Sequence, residues 1–253
     1  MFSAINFLRG AGETNREKNL ILQMAGIEYF QNMGSASIPT LLEILKSGGR
    51  DEAGNAALAI GGIRDVSLVE PLIRVLQDRT RSSHLRGQVA QSLGSFGEYQ
   101  EDGRITEALL EAAKTADRTV QEGIIKAFGK LNDRRASPFL LEMITDSRNS
   151  LYVEALDVLP HIGDPELVPT LIGFLKNPPS DSIGLRLALI RALGWFRDPR
   201  AADVLSPLLQ ADDSQIKGET IKALERTPGL VSQEALYKLF EKITVFTEIC
   251  FYI

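Results

Sequence analysis

Gly163-Asp164-Pro165-Glu166-Leu167-Val168-Pro169-Thr170-Leu171-Ile172, followed beyond a polar turn by Leu187-Ala188-Leu189-Ile190-Arg191-Ala192-Leu193-Gly194, is one copy of the unit from which this chain is built. Apolar residues recur at offsets of three and four in both halves, the spacing of a single buried helical stripe. The same ending returns along the chain at Ala59-Ile60-Gly61, Ser92-Leu93-Gly94, Ala127-Phe128-Gly129, Val158-Leu159-Pro160, Ala192-Leu193-Gly194 and Ala223-Leu224-Glu225, with steps of 33, 35, 31, 34 and 31 residues. A period in this range marks an array of helical hairpins, each too small to bury its own apolar face. These endings read as the small-residue turns that close each unit.

Four of the first helices carry a proline near their start, at Pro39, Pro71, Pro138 and Pro169, where the missing N–H costs nothing. Asp164-Pro165 and Asp198-Pro199 supply turns just upstream. Six such helices are expected, the last over Asp203 to Leu209. The second helices are expected over 51–60, 84–93, 119–128, 151–159, 185–193 and 215–224, and are rich in Ala and Gly, so that neighbours approach closely. No alternating strand pattern is present, so the predicted fold is all-α, an α-solenoid. Residues 1–33 read as an N-terminal capping region, 34–231 as the array, and 232–253 as a degenerate last repeat with an apolar tail.

The blocks quoted above resemble HEAT repeats, and more narrowly the short HEAT-like repeats of the phycobilisome lyase type. The resemblance implies a right-handed superhelix of about six to seven HEAT-like hairpins whose second helices line the concave side. A tetratricopeptide array has a similar period but places its proline after the second helix. The lyase resemblance also implies an alternative function, a subunit of a bilin (phycocyanobilin-type) lyase acting on phycobiliproteins. It carries over no functional residue, because only repeat positions match.

Net charge of −5 argues against general nucleic-acid binding, which needs a broad basic footprint. A DNA-glycosylase reading needs a basic groove with aromatics to hold a base, whereas the chain is net negative and Trp195 is its single tryptophan. One cysteine, Cys250, gives no internal disulfide. No apolar run is long enough to span a bilayer, and residues 1–9 lack the basic start of a secretory signal, so a cytoplasmic location is expected.

Catalytic groupings are scarce. His84 and His161 occupy non-equivalent positions without ligand-spaced partners, and no His-Glu dipeptide of the di-iron hydroxylase type is present. Gly48-Gly49 and Gly61-Gly62 read as turns between helices, not phosphate loops. The acid pairs Glu101-Asp102 and Asp212-Asp213 read as solvated turns. Neither a catalytic residue nor a metal or other cofactor is expected.

Two columns on the second helices carry the functional signal. Three residues before the end of each unit stand Leu58, Gln91, Lys126, Asp157, Arg191 and Lys222. Five residues earlier stand Ala53, Arg86, Gln121, Tyr152, Arg186 and Lys217. Their polar character predicts a solvent face, locally basic within an acidic protein. Arg86, Gln91, Lys126, Tyr152, Asp157, Arg186, Arg191, Lys217 and Lys222 are the expected partner contacts, with Tyr152 as aromatic anchor. Trp195 is expected to pack between units. The expected function is a non-enzymatic protein-binding scaffold biased toward acidic partner surfaces or peptides. The tail at 244–253 is expected either to pack back on the last hairpin or to drive self-association.

Overall fold

The computed structural model describes residues 6, 8, 16–99, 103–146 and 150–251, with only the backbone described for 16–19 and 242–251. Among these residues there are helices and no strands. The acid pair Glu101-Asp102 lies outside them, as do residues 147–149 of one expected turn and the side chains of the tail. The chain packs as two compact units, 1–136 and 137–253.

In the first unit, α1 (Arg16–Met33) precedes three hairpins. They are α2 (Ile38–Ser47) with α3 (Arg50–Ile63), α4 (Val69–Gln77) with α5 (Ser83–Leu93), and α6 (Arg104–Ala113) with α7 (Arg118–Leu131). In the second unit, α8 (Ser137–Thr145) pairs with α9 (Tyr152–Ile162) and α10 (Leu167–Lys176) with α11 (Ile183–Phe196). The short α12 (Ala202–Leu205) pairs with α13 (Ser214–Arg226), and α14 (Leu230–Phe251) closes the chain. The sixth first helix does not run unbroken to Leu209. After α12 it tightens to a 3₁₀ turn over Ser206–Gln210, because Pro207 has no N–H to continue the α ladder.

Side-chain caps start four of the six second helices. Ser82 accepts from the Leu85 N–H, Asp117 from Val120, Ser182 from Leu185 and Asp213 from Gln215 and Ile216. Second helices then stack directly on one another, α3 on α5 and α5 on α7 in the first unit, α9 on α11 and α11 on α13 in the second. Glycine makes these contacts intimate. A Cβ on Gly123 would lie 2.1 Å from the Gly87 carbonyl oxygen, and one on Gly194 would lie 2.6 Å from Ala223 Cα.

Gly61-Gly62, Gly129 and Gly194 therefore do not close their helices, as the sequence suggested. The helices continue to Ile63, Leu131 and Phe196, because Gly61 and Gly194 sit where a neighbouring backbone passes close by. The true stops come three residues later, where Arg64, Asn132, Gly163 and Arg197 turn left-handed with φ of 55°, 53°, 68° and 52°. An aspartate follows each of them. Asp65, Asp133, Asp164 and Asp198 each accept the N–H two residues on, so the chain re-enters the next first helix through one repeated turn.

These turns tie stability to pH. The Ser67 hydroxyl holds the Asp65 carboxyl below the usual carboxylate range, the Thr80 hydroxyl does so for Asp78, the Ser83 hydroxyl for Asp117 and the Arg200 guanidinium for Asp198. The folded carboxyls bind protons less readily than the unfolded ones. Their contribution is present above the unfolded carboxylate pKa and is lost as pH falls below about 4. Thermal melts followed by circular dichroism should show Tm falling below that pH, with a shallower fall in Asp198→Asn.

Candidate functional site

Each second helix leaves one stripe open. On α9 it contains Glu154, Asp157 and His161, on α11 Leu187, Arg191 and Trp195, and on α13 Glu219, Lys222 and Arg226. Members of each stripe stand three or four residues apart and so share a face. The two predicted columns do not share it. Residues five apart are turned by about 140° around a helix, and the outer column points elsewhere.

Arg86 shows where. It is buried, with 7% of its surface exposed, and its Nε donates to the Leu76 carbonyl at the end of α4 at 2.8 Å. Arg86 is thus a brace inside its hairpin and not an exposed partner contact, because its long apolar stem can be covered while the head group satisfies a helix-end carbonyl. Tyr152 is half-buried, with its hydroxyl 3.3 Å from the Ser182 hydroxyl of the next repeat. Arg186 and Lys217 are half-buried and turned away from the open stripe.

The inner column does gather on one face of the second unit. Arg191 Nη1 lies 3.4 Å from Asp157 Oδ1, and Arg191 Nε lies 3.6 Å from Glu219 Oε1. Lys222 Nζ lies 3.6 Å from Glu219 Oε2. Acid and base alternate across three successive second helices, so Arg191 and Lys222 are largely compensated in place. Alongside this chain, the Arg226 guanidinium carbon sits 4.2 Å from the centre of the Trp195 ring. Trp195 does reach the next second helix, yet 49% of its surface stays open. His161 Nδ1 faces the Asp157 carbonyl at 2.9 Å.

In the first unit, Gln91 lines a groove of about 420 Å³ with Gln31, Arg64, Ser95 and Lys130. Lys126 is exposed one turn before Lys130. Lys130 Nζ is 3.4 Å from the Ser95 hydroxyl, and Arg64 Nη1 is 4.0 Å from Glu98.

Glu219, Arg226, Arg64 and Lys130 were missed from sequence. Each lies on or beside the inner column, up to two turns away, and that spacing was the available signal. Among the described residues no group of three His, Cys, Asp or Glu side chains is placed to hold a metal ion, and no helix is long and apolar enough to cross a membrane.

The sequence pattern of HEAT repeats matches residues 149–225, the stretch that runs from just before α9 to the last turn of α13. Residues 149–225 carry HEAT repeats. The chain is similar in fold to an engineered protein of known crystal structure, at 17% identity over 95% of this chain and 72% of that one, with a TM-score of 0.56. It also matches the complex of CpcE and CpcF of phycocyanin lyase from Nostoc sp. PCC7120, at 16% identity over 96% of this chain and 95% of that one, with a TM-score of 0.48. A designed armadillo repeat protein in complex with the peptide (KR)4 matches at 12% identity over 89% and 99%, with a TM-score of 0.36. At such identities the likeness is one of fold. No curated protein matches the HEAT-repeat sequence.

Proposed function

We propose that this HEAT-repeat protein is a protein-binding adaptor whose contact surface is the open stripe of its second helices, centred on Trp195 and biased toward acidic partners. The observation that carries the reading is the half-exposed Trp195 ring stacked under Arg226. Tryptophan and arginine are the residue types most enriched among energetically dominant interface contacts. On the stripe the cations Arg191, Lys222 and Arg226 are matched in number by the carboxylates Glu154, Asp157 and Glu219, with Arg191 and Lys222 paired to Asp157 and Glu219 and Arg226 lying on the ring itself. The cations beside the ring favour encounter with anionic surfaces more than they deepen affinity.

Trp195 is the single tryptophan of the chain, so its emission reports the site directly. Titration with an oligo-glutamate peptide at low ionic strength should shift that emission, and added salt should reverse the shift. Oligo-lysine should leave it unchanged. Trp195→Ala, followed with a labelled peptide, should weaken oligo-glutamate binding about 30-fold, the size of one interface hot spot of ~2 kcal/mol. Equal responses to both peptides, or no response to either, would defeat the acidic bias. Unchanged affinity in Trp195→Ala would displace the ring from the centre of the surface.

A further inference from the structure

The groove of about 420 Å³ in the first unit is lined by two cations and, among the described residues, by no carboxylate. Arg64 stands at the end of α3 and Lys130 in the last turn of α7, so the stacking of second helices brings them to one cavity. Lys130 Nζ lies 3.4 Å from the Ser95 hydroxyl, which accepts that bond and keeps its own hydrogen to donate. Arg64 reaches Glu98 only at 4.0 Å, and with 58% and 77% of the two side chains exposed such a pair is worth little. Gln91, near the end of α5, adds an amide donor to the same cavity. Room for a ligand comes from Gly62, which is exposed and leaves its main chain bare. A Cβ there would lie 2.1 Å from Gln31 Nε2, which reaches toward the Leu58 carbonyl at 3.4 Å and forms one wall.

We infer that this groove binds a phosphoryl group carried on a serine or threonine side chain of a protein partner. A phosphate monoester carries a charge of about −1.5 to −2 and three strong acceptor oxygens. Two cations balance that charge, whereas a single carboxylate would leave one of them over. The guanidinium offers parallel N–H donors to two phosphoryl oxygens, and the ammonium adds a point charge. The cavity falls in the size range that holds a ligand with a body behind its charged group, so the peptide that bears the phosphoryl group has a place to lie. The inference rests on the reading of the second helices as the contact surface, and gives the first unit a chemistry of its own within it.

The test uses the full chain and a short fluorescein-labelled peptide with one phosphoserine among glycine and alanine, followed by anisotropy at low ionic strength. The phosphopeptide should bind about tenfold more tightly than its serine twin and about fivefold more tightly than its glutamate twin. Arg64→Gly should weaken it about tenfold without loss of stability, because glycine takes the left-handed backbone at this position, φ 55°, more readily than arginine. Lys130→Gln should weaken it about fivefold, and Glu98→Gln, which frees Arg64, should strengthen it about twofold. A serine or glutamate twin that binds as tightly as the phosphopeptide overturns the inference. So does binding that is unmoved in both Arg64→Gly and Lys130→Gln. Orthophosphate should displace the peptide only at about a hundredfold higher concentration than unlabelled phosphopeptide. Displacement at the same concentration overturns the peptide-borne source in favour of free phosphate. The oligo-glutamate response of Trp195 in the same variants reports separately on the second unit. A silent Trp195 beside a bound phosphopeptide defeats the acidic bias there alone, and the reverse outcome defeats the groove alone.

Discussion

Gly123→Ala is expected to destabilise the first unit by about 3 kcal/mol, the upper end of the cost of overpacking. The new methyl would stand 2.1 Å from the Gly87 carbonyl oxygen and 2.9 Å from Gly87 Cα. These are backbone atoms of α5, so no rotamer change relieves the clash and the two helices must separate. Gly87 is in the same close contact from the other side, where an added Cβ would meet the Thr119 carbonyl oxygen at 2.8 Å. Gly218→Ala is the matched control. It lies within α13, and nothing stands within 4 Å of its added Cβ. There alanine should stabilise by about 0.5–1 kcal/mol, through the lower conformational entropy of the unfolded chain. Urea melts of both variants check the pair. Equal effects of the same sign would mean that α5 and α7 are not in close contact.

Arg86→Ala is expected to cost about 2–3 kcal/mol. Truncation strands the buried Leu76 carbonyl, whose lost bond from a charged donor is worth ~1.5–3 kcal/mol, and uncovers apolar surface packed along the arginine stem. Arg86→Gln keeps a donor on a shorter stem and should recover part of the loss. Binding of oligo-glutamate, read at Trp195, should be unchanged in both folded variants. A surface contact would behave the opposite way, with binding lost and the melting curve unmoved.

Much of the fold could be read from the chain because its signals repeat. The apolar spacing and the prolines at Pro39, Pro71, Pro138 and Pro169 fall in the first turn of α2, α4, α8 and α10, and each copy corroborates the others. Helix ends were misplaced for a specific reason. Glycine serves both as a terminator and as a close-contact residue, and Gly61 and Gly194 are the second kind. The true stops at Arg64 and Arg197 are invisible by residue type, since arginine carries no preference for a left-handed backbone.

The candidate site was legible only where polar character and exposure coincide. Asp157, Arg191 and Lys222 meet on one face, but Arg86 was read as exposed because a column of polar letters does not reveal which long side chains fold back onto a carbonyl. Glu219 and Arg226 belong to the same face and were passed over because the alignment counted from a single position in each repeat.

The glycine seam between second helices bears on how such a chain can change its length. A new hairpin inserted between two existing ones must offer bare backbone toward one neighbour and accept bare backbone from the other. Ancestral duplication in register satisfies both demands at once, whereas a cut out of phase would set methyl groups against carbonyls. Lineages are therefore free to gain or lose whole modules and are barred from gaining fractions of one.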